Sequence, residues 1–312
     1  MITYIHKQKV SPLIIDKVYM TMPVATDQES MIFKNIHRLL EDGYAKNKYT
    51  SMYSLSADVL MGDFNQNKLL VQCSPKHPDT SYFRAEFNPA KADMSEVRAY
   101  IDSVLPNGYE SLVEHGICTR LDVTVDLHHC DINELLIWKP GISKTSGYYK
   151  GGKIETYYLG SPTSPKRICN YDKVAEIKRK NAQSMFKKDV PTHAITRIEA
   201  RLTDRVPVID LPTTDNLFSA LNIAAHQSIS TDDWQFILFL KVCQSEGAQN
   251  ALLSLPDTIR KVYRKILQTH NAKWWNPDEI WQQWPNVIDS LLHPPASNFH
   301  LLHNDNSVVI GG

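Results

Sequence analysis

One segment of the sequence alternates strictly between charged or polar and aliphatic side chains. It runs from Arg120 to His128 as Arg-Leu-Asp-Val-Thr-Val-Asp-Leu-His. Successive side chains of a β-strand point to opposite faces, so Asp122 and Asp126 would share a face with Arg120 while the aliphatic side chains face a core. Two such carboxylates repel each other unless a cation lies between them, and their oxygens suit Mg²⁺ or Mn²⁺. The segment therefore predicts a metal site, an ion pair between Arg120 and Asp122, or a solvated polar face.

A second segment, Thr196-Arg-Ile-Glu-Ala-Arg-Leu202, has the same alternation. Its polar face would carry Arg197, Glu199 and Arg201. If this strand lies beside the first, Glu199 completes the acidic set, and the two arginines can hold a phosphate through paired hydrogen bonds. A ladder of ion pairs between the strands is the alternative.

The third segment is Arg167-Ile-Cys-Asn-Tyr-Asp-Lys173, in which Tyr171 would lie where a strand meets a helix. A tyrosine is a poor nucleophile near neutral pH because its pKa is near 10. A metal ion and basic side chains at a phosphate would stabilise both the phenolate and the transition state. The pattern makes Tyr171 a candidate nucleophile, with Arg167 and Lys173 as catalytic neighbours. Its rivals are Tyr148, Tyr149, Tyr157 and Tyr158.

The basic residues are unevenly distributed, although the chain has 34 basic and 34 acidic residues. From residue 144 to 188 there are eleven Lys or Arg and three Asp or Glu. Such a segment either neutralises phosphates or forms a solvated face. A second basic group lies on a predicted helix near residue 260. The candidate DNA-binding side chains are Arg120, Lys166, Arg197, Arg201, Arg260, Lys261, Arg264 and Lys265.

The elements that would position these residues follow from the hydrophobic periodicity. Strands are predicted at 15–22, 49–58, 68–74, 82–87, 118–128, 155–159, 167–171 and 195–202, with a turn at 62–65. Helices are predicted at 28–40, 95–104, 172–186, 215–225, 231–245, 248–253, 257–269 and 278–292, and the tail after His293 is predicted to be irregular. The fold class is α+β, with a central antiparallel sheet flanked by helices and a mostly helical C-terminal part. The predicted domains are 1–210, with its core at 80–205, and 211–312.

Composition excludes several classes of protein. Apolar residues make up 42% and charged residues 22%, which is ordinary for a globular chain, and no apolar run is long enough to span a membrane. The first residues lack the layout of a signal peptide. The five cysteines include no CxxC pair, which favours reduced thiols in a cytoplasm over a disulfide framework.

Taken in order, the three segments resemble the replication initiation factors of the Rep_trans type, together with Thr156–Ser161 and Glu176. Phe83–Pro89 resembles a segment of the phage-type members. The resemblance covers about residues 80 to 205. The family includes initiators of rolling-circle plasmids and of some filamentous phages, and relaxases of some conjugative elements. The Cys-Asn pair before Tyr171 departs from the family pattern, and the C-terminal third resembles no family.

The resemblance implies a relaxase-like, metal-dependent DNA endonuclease and strand transferase. Tyr171 corresponds to the family nucleophile, which becomes linked to the 5′ end and leaves a 3′ hydroxyl for a polymerase. Many relaxases hold their metal with a His-x-His pair. This chain has none, and His128 and His129 are expected on opposite strand faces. We therefore predict that Asp122, Asp126 and Glu199 bind Mg²⁺ or Mn²⁺.

The implied partners are origin DNA, as a single-stranded or cruciform nick site, and a host helicase and polymerase. The sequence does not decide whether the protein forms a homodimer. No membrane is expected to be involved, and the expected location is the cytoplasm of a bacterial host. Three alternatives remain open. They are a conjugative relaxase of the same family, an origin-binding initiator without nuclease activity, and a metal-dependent phosphodiesterase that uses water in place of tyrosine.

Overall fold

The structure is a computed structural model that describes residues 9–61, 67–184 and 187–296. The predicted turn at 62–65, the predicted helix end at Phe186 and the tail from residue 297 onward lie outside the described residues. Within them, no helix combines the length and the apolarity needed to cross a bilayer.

The first two thirds of the chain combine strands with a few helices, and the last part is helical. The strands are β1 (Ile14–Met22), β2 (Ala45–Asn47), β3 (Tyr53–Met61), β4 (Asn67–Pro75), β5 (Phe83–Phe87), β6 (Ile117–His128), β7 (Leu135–Trp138), β8 (Thr145–Lys150), β9 (Lys153–Leu159), β10 (Lys166–Asp172), β11 (Ile195–Leu202), β12 (Val206–Pro207) and β13 (Asn222–Ala225). The helices are α1 (Thr26–Glu41), α2 (Met94–Val104), α3 (Gly108–His115), α4 (Lys173–Gln183), α5 (Trp234–Glu246), α6 (Ala248–Leu253), α7 (Asp257–Thr269), α8 (Pro277–Trp281) and α9 (Trp284–Leu292).

The chain packs into two compact units that are not consecutive in sequence. Among the described residues, the first unit contains 9–16, 120–204 and 213–287, and the second contains 17–119, 205–212 and 288–296. This grouping differs from the predicted boundary near residue 210. The reason is hydrophobic packing: Trp138 of β7 is fully buried in one cluster with Phe236 of α5 and Leu252 of α6. Helices α5, α6 and α7 therefore share a core with strands β7 and β13 of the first unit.

The second unit is built on antiparallel strands in the order β2-β3-β4-β5-β1. Helix α1 contacts β3 and β4 and buries Ile32, Ile36 and Leu39. These positions are spaced four and three residues apart, which gives an amphipathic helix one buried stripe. Helices α2 and α3 pack against each other.

The first unit holds the five antiparallel strands in the order β6-β11-β10-β9-β8. Alternation divides their side chains between two faces. One face is aliphatic and buried, for example at Val123, Val125 and Ile198. The other face, the charged face, carries the polar residues of the three sequence segments. The prediction of an α+β protein, with antiparallel strands, flanking helices and a mostly helical C-terminal part, is confirmed.

The predicted helix at 215–225 is wrong. Residues 222–225 form strand β13, which pairs with β7 in a small two-stranded sheet. Leu217, Phe218 and Leu221 have helical spacing, but pairing with β7 satisfies the backbone of the segment in another way. The predicted bounds of β11, α6 and α7 agree with the structure, whereas α3, β7 and β8 were not predicted.

Gly247 lets the junction of α5 and α6 approach the aliphatic face of the sheet. Its φ is +85°, and a Cβ there would lie 2.5 Å from the ring of Tyr157, whose Oη accepts a hydrogen bond from the Asn250 backbone N–H at 2.9 Å. We expect Gly247→Ala to lower the free energy of unfolding by about 2–4 kcal/mol, from backbone strain and overpacking together. Gly43→Ala is the matched control, because Gly43 has φ +78° and nothing within 4 Å of the added Cβ. Urea denaturation measures the free energy of unfolding of both variants. Both carry the backbone strain, and only Gly247→Ala adds the clash with Tyr157, so equal losses of stability would contradict the packing argument.

Candidate functional site

Three rows of side chains cross strands β10, β11 and β6 on the charged face. In the first row Tyr171 lies opposite Arg197, which lies opposite Asp126. The other two rows are Cys169–Glu199–Thr124 and Arg167–Arg201–Asp122. Residues directly opposite each other in an antiparallel pair point to the same face. The three segments found in the sequence therefore meet on one surface.

Tyr171 is the last residue but one of β10, and α4 begins two residues later at Lys173. The side chain of Asp172 caps this helix by accepting a hydrogen bond from the Ala175 backbone N–H at 2.9 Å. The Lys173 ammonium lies 5.7 Å from the centre of the Tyr171 ring and donates to Glu176. The predicted position of Tyr171 at the junction of a strand and a helix is thus confirmed, with Lys173 beside it.

The surroundings of Tyr171 hold its phenol in the neutral form. Burial raises the pKa of Tyr171 well above its ordinary value; the Arg197 guanidinium lowers it, and Glu176 and Glu199 raise it further. The effect of burial outweighs that of the one cation. For Tyr171 to act as a nucleophile, an incoming phosphate and its contacts would have to stabilise the phenolate.

Arg197 binds two carboxylates, those of Asp126 and Asp16. It is buried and forms a bidentate pair with Asp126, with Nε donating to Oδ1 at 2.6 Å and Nη2 to Oδ2 at 2.8 Å. Its Nη1 also donates to Asp16 Oδ1 at 3.2 Å. Burial alone would lower the pKa of Arg197, but its bonds to Asp126 raise it, so the guanidinium stays charged. Asp16, in β1, was not found from the sequence, because its local pattern gives no sign of this partner.

A second ion-pair cluster surrounds Asp122. This buried carboxylate accepts from Arg201 Nε at 3.1 Å and from Arg120 Nε at 3.0 Å. Arg201 Nη2 also donates to Glu199 Oε1 at 2.8 Å. Burial and the neighbouring Asp122 raise the pKa of Glu199, and Arg201 opposes this shift. The ladder of ion pairs that the sequence left open as an alternative is therefore present.

The three predicted metal ligands share one face, but their oxygens are engaged by arginines. Asp126 is bound by Arg197, and Asp122 and Glu199 are bound by Arg201. Within the described ranges, no group of three His, Cys, Asp or Glu side chains is arranged to hold a metal ion. In this arrangement the donor set does not fit Mg²⁺, because each carboxylate would first have to release a guanidinium. The assignment of Asp122, Asp126 and Glu199 to a metal stays a prediction from the alternation of the sequence.

Arg167 and Tyr158 form a cation–π pair next to these rows. The guanidinium carbon lies 3.8 Å from the centre of the Tyr158 ring, and Nη2 donates to Ser146 Oγ at 3.1 Å. Burial raises the pKa of Tyr158 to about 12 and that of Cys169, its hydrogen-bond partner, to about 12. In the described part of the chain, Arg167 Nε is buried without a hydrogen-bond partner. Arg167 therefore retains an unused donor on the charged face.

The remaining candidate DNA contacts differ in how freely they could reach a phosphate. Lys166 is exposed, and its Nζ lies 3.7 Å from Asp215 Oδ2. Arg260 is tied to its own unit, because Nε donates to the Leu252 carbonyl at 2.9 Å and Nη2 to the Leu255 carbonyl at 2.7 Å. This arrangement does not support its predicted contact with DNA, since the guanidinium completes the end of α6 instead. Arg264 is partly buried, and the exposed pair on α7 is Lys261 and Lys265.

Comparison with known proteins gives a structural likeness. No protein-family model matches the sequence, and no curated protein matches it. Among solved structures, the chain is similar to a rolling circle replication initiator protein from Geobacillus stearothermophilus. The two are 17% identical with a TM-score of 0.41, and the likeness covers 77% of this chain and 98% of that chain. At this level of similarity, function has to be inferred from the residues of the charged face.

Proposed function

We propose that this protein initiates rolling-circle DNA replication by nicking one strand at an origin, with Tyr171 as the nucleophile. The observation that carries the proposal is the row Tyr171–Arg197–Asp126, in which a tyrosine at a strand end faces a fixed guanidinium. The sequence resemblance to Rep_trans initiators supports the same role for Tyr171. The likeness to the Geobacillus initiator agrees with this proposal but adds no weight to it.

The chemistry requires one bond to form and one to break. Tyr171 Oη forms a bond to phosphorus and gives up its proton to solvent. The bond from phosphorus to the 3′ oxygen breaks, and that oxygen takes up a proton to become a 3′ hydroxyl. The 5′ phosphate remains on the tyrosine, so the phosphodiester energy is kept for rejoining. Solvent is the proton acceptor in this scheme because the carboxylates described on the face are bound by arginines.

The basic side chains of the face supply the phosphate contacts in this proposal. Arg197 has a longer bond to Asp16, at 3.2 Å, than to Asp126, and Arg167 has an unused Nε. A phosphate oxygen that replaces Asp16 on Arg197 would lie beside Tyr171. Arg197 would then stabilise the phenolate of Tyr171 with one fewer carboxylate competing for its charge. The carboxylates keep the guanidinium groups in place until the substrate arrives, so the charges need little rearrangement.

A specific observation favours a second candidate, an origin-binding initiator without nuclease activity. Burial raises the pKa of Tyr171, and arginines already neutralise the surrounding carboxylates. Such a face could bind a DNA backbone without cleaving it. A conjugative relaxase would share the chemistry of the main proposal, and the genes beside its own would distinguish it.

The test is a nicking assay on a supercoiled plasmid that carries the gene with its flanking DNA. The protein is incubated with Mg²⁺, with Mn²⁺ or with EDTA, and the products are separated after denaturation. The proposal expects open circles and a protein–DNA band that survives denaturant. A plasmid that is bound but stays supercoiled in all arms supports the non-catalytic candidate. Nicking without a covalent band supports a phosphodiesterase that uses water, and the EDTA arm decides whether a divalent ion is needed.

Lys261 and Lys265 are predicted to contribute phosphate contacts through the exposed face of α7. Each neutralised phosphate releases counterions, so binding weakens steeply with salt. We expect Lys261→Gln with Lys265→Gln to lower the slope of log affinity against log salt by about 1.8 in magnitude. Lys46→Gln with Lys48→Gln, on exposed residues of β2 and just after it, is the matched control. Fluorescence anisotropy with duplex DNA at several salt concentrations measures the slope for the wild type and for both double variants. If Lys261→Gln with Lys265→Gln has the slope of the wild type, α7 is excluded from the interface.

A further inference from the structure

Three histidines cluster at one end of β6, outside the three rows of the charged face. His128 ends the strand, His129 follows it, and His193 lies in the segment that leads into β11. His128 Nδ1 lies 3.1 Å from His193 Nε2. The His129 ring stacks on the His193 ring, with centroids 4.2 Å apart and planes inclined by 23°. The expectation that His128 and His129 point away from each other is therefore wrong.

The backbone at His129 is what brings the rings together. Its φ is +57°, in the left-handed region that residues other than glycine rarely adopt. The chain is fixed on both sides of this residue. The His128 backbone N–H donates to the Lys9 carbonyl at 2.8 Å, and Thr196 Oγ1 donates to the Cys130 carbonyl at 2.8 Å. A strained residue that its neighbours hold in place is a common feature of binding sites.

The contact between the two ring nitrogens has a chemical meaning. Two imidazole lone pairs that face each other at 3.1 Å repel unless a proton or a metal ion lies between them. Imidazole nitrogens bind Zn²⁺ at about 2.0–2.1 Å, so two of them on one tetrahedral or octahedral ion are about 2.8–3.4 Å apart. The observed separation lies within this interval. It equally suits a single hydrogen bond, and a metal titration separates the two.

Space for the remaining ligands lies beside His193. A cavity of 220 Å³ is lined by His193 together with Asp131, Asp172 and Lys178, among others. Asp172, whose side chain caps α4, lines this cavity and belongs to the same unit as His193. It is large enough for several water molecules or for a phosphate group. An ion held by two histidines would thus keep open positions, as catalytic zinc sites do.

We propose that His128 Nδ1 and His193 Nε2 form a binding site for a divalent transition metal ion of the kind that prefers imidazole, such as Zn²⁺ or Co²⁺. Water or a phosphate oxygen supplies its other ligands. This site is distinct from the predicted Mg²⁺ or Mn²⁺ set, because nitrogen ligands select later transition metals and carboxylates select the harder ions. The inference does not depend on Tyr171 or on nicking.

The test uses the full chain after treatment with a chelator. Co²⁺ is added and followed by its visible absorption, and Zn²⁺ binding is measured by calorimetry. We expect about one equivalent to bind to the wild type and His193→Ala to weaken binding by more than about tenfold, since loss of a direct ligand exceeds the cost of losing a supporting partner. His37→Ala with His115→Ala is the matched control, because both of these exposed histidines lie beside a glutamate in the second unit.

Two further measurements do not depend on the stability of His193→Ala. The melting temperature should rise with Zn²⁺ in the wild type and in the control but not in His193→Gln, which preserves the size and polarity of the side chain. Nitrogen NMR of the imidazoles should assign the Zn²⁺ contact to Nδ1 of His128 and Nε2 of His193. Stoichiometric binding that is unchanged in both His193 variants, or no binding by the wild type, would overturn the proposal and leave the contact as a hydrogen bond.

Discussion

Tyr171→Phe is expected to remove the covalent protein–DNA band while leaving DNA binding and the fold intact. Phenylalanine keeps the ring beside Lys173 and lacks the oxygen that would attack phosphorus. We expect the rate of cleavage to fall by at least about a thousandfold, which corresponds to about 4 kcal/mol of transition-state stabilisation. Denaturing gels of the plasmid reaction measure the band, and anisotropy with the same DNA measures binding.

The charged face itself provides the controls for this prediction. Tyr158 lies on β9 opposite Cys169, and Tyr148 lies on β8 opposite Thr156, so both occupy the same face as Tyr171. Tyr158→Phe and Tyr148→Phe should retain the covalent band. A covalent band that persists in Tyr171→Phe and disappears in Tyr158→Phe would instead identify Tyr158, on the neighbouring strand β9, as the nucleophile.

The attachment site can also be identified directly. Trypsin cuts after Arg167 and after Lys173, which releases the peptide Ile-Cys-Asn-Tyr-Asp-Lys with Tyr171 as its one tyrosine. Mass spectrometry of a nuclease-trimmed adduct should find the nucleotide on this peptide. A nucleotide on any other peptide would contradict the proposed role of Tyr171.

Alternation in the sequence predicted which side chains share a face, but it did not predict their pairing. The period of two in β6 and β11 assigns Asp122, Asp126 and Glu199 to one side. The register between the strands decides what each carboxylate meets, and a single sequence carries no record of it. Here the register sets Arg197 against Asp126 and Arg201 against Asp122. The same carboxylates in another register could have faced each other and required a cation.

The elements that escaped prediction lack a periodic signal. Strand β8 contains Gly147 and is largely exposed, so apolar alternation does not mark it, although Tyr148 and Tyr149 have high β-propensity. The contact of His128 with His193 joins residues 65 positions apart and depends on one left-handed residue. By contrast, α7 was predicted with correct bounds, because Pro256 precedes it and its buried residues, Tyr263 and Leu267, are spaced about one helical turn apart.

The pairing of Arg197 with Asp126 leads to the second large effect. Arg197→Met would leave Asp126 and Asp16 without their shared guanidinium, in an environment where both side chains are only 18% exposed. Removing one partner of a buried ion pair costs about 3–5 kcal/mol, and the partial exposure of the carboxylates favours the lower end. Urea unfolding should therefore show a loss of about 3 kcal/mol. Lys166→Met is the matched control, because its partner Asp215 is exposed and such pairs contribute less than about 1 kcal/mol.

The double variant Arg197→Met with Asp126→Asn distinguishes an ion pair from a metal site. If Asp126 acts mainly as the partner of Arg197, Asp126→Asn alone destabilises the protein, and the double variant is more stable than the sum of the single losses predicts, by about 1–3 kcal/mol. If Asp126 instead belongs to a metal site, it repels the neighbouring carboxylates in the chelator-treated protein, and Asp126→Asn should then raise the free energy of unfolding. The two arrangements give changes of opposite sign for one substitution in EDTA, so this measurement decides what the acidic side chains of the charged face are for.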